Sequence, residues 1–175
     1  RDMSATLSEV LSLQVYTYLL VFCRIGGVLF LMPGIGESFV PARARLILAL
    51  LVSLAMVPSQ IGVIDAVPPP APMAAQVIAE LLIGLTIGLW LRLFVYALFI
   101  AGAVVAQQLA LNLIFNGVAE NIGTSSLSNL LMLSGITLFF ALNLHGSTLM
   151  ALAENLRDMP LGRGIVPIEL FTGRI

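Results

Sequence analysis

Long apolar runs alternate along this chain with short stretches rich in proline, glycine and charged residues. The run 10–32 is long enough to cross a membrane and is interrupted once, by Arg24. The stretch 33–45 contains two prolines, two glycines and three charged residues, which predicts a turn. A second apolar run follows and ends at Pro58. We therefore predict a first pair of helices over residues 10–57.

The middle of the chain combines a proline-rich connector with a long apolar segment. Residues 58–76 include the run VPPPAP, which favours a stiff, extended conformation. The segment 77–108 predicts a long helix. The 33 residues from Glu80 to Asn112 would form a helix of about 50 Å, whereas the hydrocarbon core of a bilayer is about 30 Å thick. The pattern indicates a segment that is steeply tilted, divided in two, or partly outside lipid.

Small residues recur at every fourth position of the long segment. Glu80, Gly84 and Gly88 share one helix face at this spacing. Small residues so arranged let membrane helices approach closely, although glycine and alanine are also simply common in such helices. The predicted helix-packing positions are Gly84, Gly88, Gly102, Ala106 and Ala110.

The stretch 109–128 mixes Asn, Gly and Ser with Leu, Ile and Phe. The first group favours a loop, whereas the second is too apolar for a free surface loop, so we predict a loop that packs against other parts of the structure. Residues 129–156 predict another helix and residues 157–175 another loop. The chain 1–175 is expected to form a single domain.

Composition identifies these helices as membrane helices. Hydrophobic residues make up 59% of the chain and charged residues 10%, against about 25% charged residues in an ordinary soluble domain. The prediction is an all-α integral membrane protein in contact with lipid. Eight Arg, no Lys and nine acidic residues give a net charge of −1, which excludes a basic nucleic-acid-binding surface. No enzyme motif or metal-ligand cluster is evident, so we expect no catalysis and no cofactor.

Four ionisable residues fall at or near membrane depth: Arg24, Glu80, Arg92 and His145. An arginine in the membrane costs several kcal/mol unless it finds a partner or water, so Arg24 is expected to face protein or a hydrated cavity. Such groups either pair between helices and fix their packing, or form a path for protons or ions. Both interpretations remain open from the sequence.

Three groups of residues share their order and spacing with a known family. They are Arg24, Pro33, Pro41, Arg43, Arg45 and Leu46; then ELLIGLTIG at 80–88 with Ala101, Gly102 and Gln108; then Phe139, Phe140, Asn143, His145 and MPLG at 159–162. The chain resembles the FliR family, the R subunit of the flagellar type III protein-export gate, which has counterparts in virulence injectisomes. Departures are Leu144 between Asn143 and His145, Ala110 in place of an expected Gly, and no Asp-Pro near residues 118–119.

The resemblance implies a gate in which one copy of this chain joins several FliP-like and FliQ-like subunits, alongside FlhB-like and FlhA-like export components. It implies helices arranged as inverted-V hairpins, in a bacterial inner membrane at the flagellar basal body, with much of the assembly on the periplasmic side. Unfolded proteins would pass through the gate. The family also continues past residue 175, so its C-terminal part is expected to be missing here.

The resemblance further assigns the loop 109–128 as a plug that closes the gate. The residues implied in the plug are Gln108, Leu109, Leu111, Leu113, Ile114, Phe115, Asn116 and Gly117. The main alternative is a fragment of a secondary transporter, with a solute or ion bound at the membrane midplane near Glu80 and Arg92. A membrane scaffold without a transport role is a third possibility. Co-purifying partners would separate these hypotheses.

Overall fold

The computed structural model describes residues 2–64, 66–108 and 126–162; for residues 2–7, Ala106 and Ser126 it describes the backbone alone. Within these ranges the chain is helical and has no strand. The helices are α1 (Asp2–Leu31), α2 (Ala42–Met56), a short 3-10 helix (Val57–Gln60), α3 (Pro70–Gln108), α4 (Ser126–Ala141) and α5 (Leu144–Asp158). The all-α prediction is confirmed.

Helix α1 is the centre of the packing. It packs against α2 and α3, and α3 also packs against α4. Half of the residues in the buried core come from α1, including Leu20, Val21, Ile25 and Val28, and Leu152 and Leu156 of α5 join them. Helix α1 begins at Asp2, ahead of the predicted start at residue 10. The polar residues before position 10 mark the end of the apolar run, but they do not interrupt the backbone hydrogen bonds of a helix. The helix therefore starts earlier than the apolar run.

Helix α3 is one unbroken helix of 39 residues, about 58 Å long at the usual rise. Its start at Pro70 lies inside the stretch predicted as an extended connector, 58–76. Pro70 and Pro72 occupy its first turn, where a missing N–H removes no helical hydrogen bond. The amide of Met73 already donates to the carbonyl of Pro69 at 3.0 Å. The connector is therefore confined to residues 61–69, after the short 3-10 helix.

The single helix predicted over residues 129–156 is wrong. The structure has α4 and α5 there, bent by 63° relative to each other. The break lies at Asn143, which takes the left-handed conformation with φ 55° and ψ 27°. Asparagine is one of the few residues that tolerate this conformation, and a single residue in it interrupts an α-helix.

In the described part of the chain, three helical spans are long and apolar enough to cross a membrane: Ser8–Leu31, Ala42–Gln60 and Pro70–Val105. The bent pair α4–α5 would make a fourth if it counts as one span. The span Ala42–Gln60 is only 11% buried and Pro70–Val105 only 22%. These helices therefore keep most of their apolar surface outside the packing of this chain.

Candidate functional site

A buried ion pair joins α1 to α3. Nε of Arg24 lies 2.5 Å from Oε2 of Glu80, and both side chains are completely buried. Because an isolated charge is very costly in an apolar interior, this pairing is what permits either residue at its position. The pair is neutral overall, so it adds no net charge to the core.

Glycines on both helices bring the two charges together. A Cβ at Gly84, one turn beyond Glu80, would overlap the carbonyl oxygen of Arg24. A Cβ at Gly88 would lie 2.9 Å from the carbonyl oxygen of Val28, and one at Gly27 would lie 2.9 Å from the amide nitrogen of Leu85. The backbones of α1 and α3 therefore touch over two turns. Gly84 and Gly88 lie where the four-residue spacing placed them, on the face that contacts another helix.

The ion pair also holds the chain as it leaves α5. Nη1 of Arg24 donates to the carbonyl oxygen of Met159 at 2.8 Å and to Oδ1 of Asn155 at 3.2 Å. On the other side, Oε1 of Glu80 accepts a hydrogen bond from the amide of Gly162 at 3.1 Å. Residues distant in sequence thus meet at one point. We call this set of contacts between α1, α3 and the end of α5 the polar junction.

Gln76 extends the polar junction by one helical turn. Its Nε2 donates to the carbonyl oxygen of Gly162 at 3.0 Å, and its Oε1 accepts a short hydrogen bond from the hydroxyl of Tyr16. Both backbone polar groups of Gly162 are therefore bound by α3. Gly162 has φ 77°, in the left-handed region that favours glycine. A turn of fixed shape thus leads the chain away from α5.

A second arginine organises the turn between α1 and α2. The guanidinium of Arg45 donates to the carbonyl oxygens of Gly36, Glu37 and Val40, at 2.8–3.3 Å. It also lies 5.5 Å from the centre of the Phe30 ring, within the range of a cation–π interaction. Backbone acceptors in a turn need donors when no helix or strand supplies them. Arg45 therefore has a structural role in this turn.

The other residues predicted in this turn lie around Arg45. Pro33 is buried and follows the end of α1, and Pro41 directly precedes α2 in an extended conformation with ψ 139°. The extended residue before a helix suits proline, whose φ is fixed near the observed −62°. Arg43 is exposed, in the first turn of α2. The prolines and Arg45 thus shape the turn, whereas Arg43 is left at the surface.

The predicted ionisable residues do not form one cluster. Arg24 and Glu80 pair, but Arg92 and His145 lie elsewhere and are only partly buried. Nη2 of Arg92 donates to the hydroxyl of Tyr96 at 3.0 Å. The ring of His145 lies 5.1 Å from that of Phe140 at the bend between α4 and α5. Within the described part of the chain, no continuous line of ionisable groups links these residues.

The remaining predicted positions surround the end of α3. A Cβ at Gly102 would lie 2.7 Å from Cα of Ser128, so α3 and α4 touch there. Gln108 is the exposed last residue of α3, and Ala106 lies in its last turns. The other predicted plug and packing residues fall outside the described ranges: Leu109, Ala110, Leu111, Leu113, Ile114, Phe115, Asn116 and Gly117.

Sequence reasoning missed several members of the polar junction. Gln76 precedes Glu80 by four residues and so shares its helix face, a spacing that points to a common environment. Asn155 stands four residues before Met159 near the end of α5, with no pattern that distinguishes it. Met159 and Gly162 contribute backbone atoms, and a backbone carbonyl or amide carries no signal of its own in a sequence.

Comparison with known proteins places the chain in a protein family. The family described as bacterial export proteins, family 1, matches residues 15–174, a range that includes the whole polar junction. A curated relative from Caulobacter vibrioides, named flagellar biosynthetic protein FliR, is 35% identical over 154 residues. The match covers 87% of this chain and 61% of that relative. The chain therefore spans about three fifths of the length of the curated relative it matches.

Proposed function

Because the chain belongs to the family of bacterial export proteins, family 1, we propose that it is a subunit of a flagellar or related type III protein-export gate in the bacterial inner membrane. The observation that carries the proposal is the match over nearly the whole chain, together with the FliR relative. The family favours this function over the secondary-transporter alternative.

The uncovered apolar surface supports a role within an assembly. Most of α2 and much of α3 remain unburied although both are strongly apolar. Large contiguous apolar surfaces are covered either by lipid or by other proteins. The proposed covering is a set of FliP-like and FliQ-like subunits around one copy of this chain. FlhB-like and FlhA-like components lie nearby, and much of the gate is on the periplasmic side.

The segment 109–128 is proposed as the plug of the gate. Gly102 of α3 contacts Ser128 near the start of α4, so the two helices that flank this segment lie side by side close to its C-terminal end. A segment held at both ends by packed helices can move without pulling the rest of the chain with it. Its mixture of Leu, Ile and Phe with Gly and Asn suits a seal that excludes water yet bends.

The polar junction is proposed as a packing device and not a path for ions. Arg24 and Glu80 are fully buried and bonded to each other and to the end of α5, although Nη2 of Arg24 has no partner among the described residues. A conducting group needs access to water in at least one state, whereas these groups serve as bonds between helices. The role of the polar junction is to fix the direction in which the chain leaves α5.

Native mass spectrometry of the full-length parent protein, co-expressed with its P-like and Q-like neighbours, tests the proposed function. The expected result is a complex with one copy of this chain and several copies of each partner. A stable homo-oligomer that recruits neither partner would overturn the proposal.

A matched membrane-leak assay on the same complex, with residues 109–126 deleted, should show increased ion conductance. Unchanged conductance in an assembled complex would reject the plug while leaving the gate assignment intact.

A further inference from the structure

The face of α3 that points away from α1 carries a charge without an opposite charge. Nη2 of Arg92 reaches the hydroxyl of Tyr96, and its guanidinium carbon lies 5.2 Å from the centre of that ring. Among the described residues no carboxylate lies within salt-bridge distance of Arg92. Arg92 is nevertheless near the middle of an apolar span, Pro70–Val105. The hydroxyl and ring of Tyr96 offset part of the free-energy cost of removing Arg92 from water, but they do not neutralise its charge.

The residues around Arg92 form a single stripe. Its members, which we call the outer seam of α3, are Ile78, Leu82, Leu89, Arg92, Tyr96 and Ile100. The spacings of three, four and seven residues place all six on one side of the helix, in the pattern that receives one partner helix. The five residues other than Arg92 are 38–60% exposed. Arg92 therefore sits within a seam that the described residues leave partly exposed.

From this geometry we infer that the outer seam of α3 docks a membrane helix of another polypeptide that carries an Asp or Glu opposite Arg92. Charge complementarity selects this occupant. An arginine enclosed between two apolar helices requires an anion, and a carboxylate forms the paired hydrogen bonds that a guanidinium offers. The inference deepens the proposed function, on which it rests, by assigning one surface to a neighbouring subunit of the gate.

A second copy of this chain does not fit the seam through its own outer seam. Residues 81–108 contain no Asp or Glu, and Glu80 is already buried against Arg24. Two copies packed seam to seam would therefore bring two arginines together with no carboxylate between them. Like charges opposed in an apolar interface disfavour association. The seam thus selects against pairing with the same seam of a second copy and for a helix that carries a carboxylate.

Site-specific photo-crosslinking in the full-length protein, in its native membrane, tests the inference. A photoreactive amino acid at Leu89 or Leu82 should yield an adduct with another polypeptide. Mass spectrometry should locate the adduct on a helix with a carboxylate within one turn. Arg92→Leu should lower the yield from Leu89 by at least about tenfold, as expected when one member of a buried pair is removed. Arg92→Lys, which keeps the charge, should lower it less.

A matched probe and a charge swap give the control. A photoreactive residue at Leu51 of α2, also exposed, should be unaffected by Arg92→Leu, which shows that the chain still folds and assembles. Arg92→Glu should abolish the adduct at Leu89, and placing Arg at the identified partner carboxylate should restore it. An adduct with lipid only, with a second copy, or within the same chain would overturn the inference, as would a yield insensitive to Arg92→Leu. An acid-bearing partner helix from outside an export system would uphold the seam but reject the proposed function.

Discussion

Two arginines lie within apolar helices of this chain, and their surroundings differ completely. Arg24 is fully buried, pairs with Glu80 at 2.5 Å and donates to the end of α5. Arg92 is half-buried and has the hydroxyl and ring of Tyr96 but no carboxylate among the described residues. Both are arginines in an apolar setting, and among the described residues only Arg24 has an opposite charge beside it.

The backbone explains the difference between the two arginines. Around Arg24, glycines on α1 and α3 remove the side chains that would keep the helices apart, so opposite charges meet. Around Arg92, the seam neighbours Leu89 and Tyr96 are 48% and 38% exposed, and Tyr96 offers the guanidinium its hydroxyl and ring but no charge. A close helix contact thus completes the polar junction internally, whereas the described residues give the outer seam no carboxylate, which we propose another molecule supplies. Changes at the polar junction should therefore affect folding, and changes at the outer seam should affect association.

The largest effect is expected from Gly84→Ala. Its new Cβ would overlap the carbonyl oxygen of Arg24, and a backbone atom cannot turn aside as a side chain can. The helices must separate, so we expect a loss of about 4 kcal/mol, at the upper end for one substitution. The measurement is the thermal unfolding midpoint, together with the yield, of the detergent-solubilised full-length protein.

Gly26→Ala is the matched control for Gly84→Ala. Gly26 is also helical, but its new Cβ would meet only the Phe22 ring, at 3.9 Å, which is ordinary contact. Gly26→Ala therefore makes the same Gly-to-Ala change in a helix as Gly84→Ala, but without a clash. The stability of this variant should be unchanged or slightly raised. Equal behaviour of the two variants would remove the close α1–α3 contact from the explanation of the polar junction.

Glu80→Gln should have the next largest effect. It leaves the guanidinium of Arg24 buried without an opposite charge, which typically costs about 3 kcal/mol. The exposed Glu154→Gln on α5 is the control, with an expected change within about 0.5 kcal/mol. A double-mutant cycle with Arg24→Met should give a coupling of about 1–3 kcal/mol. Additive single effects would show that the two side chains do not act as a pair.

Much of this comparison could be predicted from the sequence, and the limits have physical causes. The existence of a long helix over residues 77–108, the packing glycines and the need of Arg24 for a partner follow from composition and spacing, whereas the start of α3 at Pro70 does not. The choice of Glu80 as that partner does not, because the helix crossing that selects it depends on the three-dimensional approach of α1 and α3. The break at Asn143 could not be predicted because it depends on one asparagine in the left-handed conformation. No proline stands near it in the sequence to signal the end of a helix. Met159 and Gly162 act through backbone atoms, which any sequence supplies.

Gly162→Ala should weaken the same junction more mildly. Its positive φ disfavours a Cβ by about 1–2 kcal/mol, and the new methyl would lie 3.3 Å from Nε2 of Gln76. Gly62→Ala is a close control, because Gly62 has a similar φ of 84° but nothing within 4 Å of its Cβ position. Both variants should lose stability because alanine disfavours a positive φ, and the thermal unfolding midpoint measures this loss. Only Gly162→Ala should also increase protease cleavage after α5, and equal cleavage in the two would mean that the junction does not hold this turn.

Tyr16→Phe should produce the smallest effect. It removes the hydroxyl that donates to Oε1 of Gln76 but keeps the buried ring, so the loss should be about 1 kcal/mol. Tyr18→Phe is the control, because the Tyr18 hydroxyl donates to the carbonyl of Leu50 outside the junction, at 3.1 Å. If the junction is one network, Tyr16→Phe combined with Glu80→Gln should cost less than the sum of the two, whereas Tyr18→Phe should add fully. Strict additivity for Tyr16 would restrict the junction to the ion pair and the backbone of residues 159–162.

The outer seam offers a further contrast: crosslinking from Leu89 should respond to Arg92→Leu but not to Tyr16→Phe, because the two arginines serve different contacts.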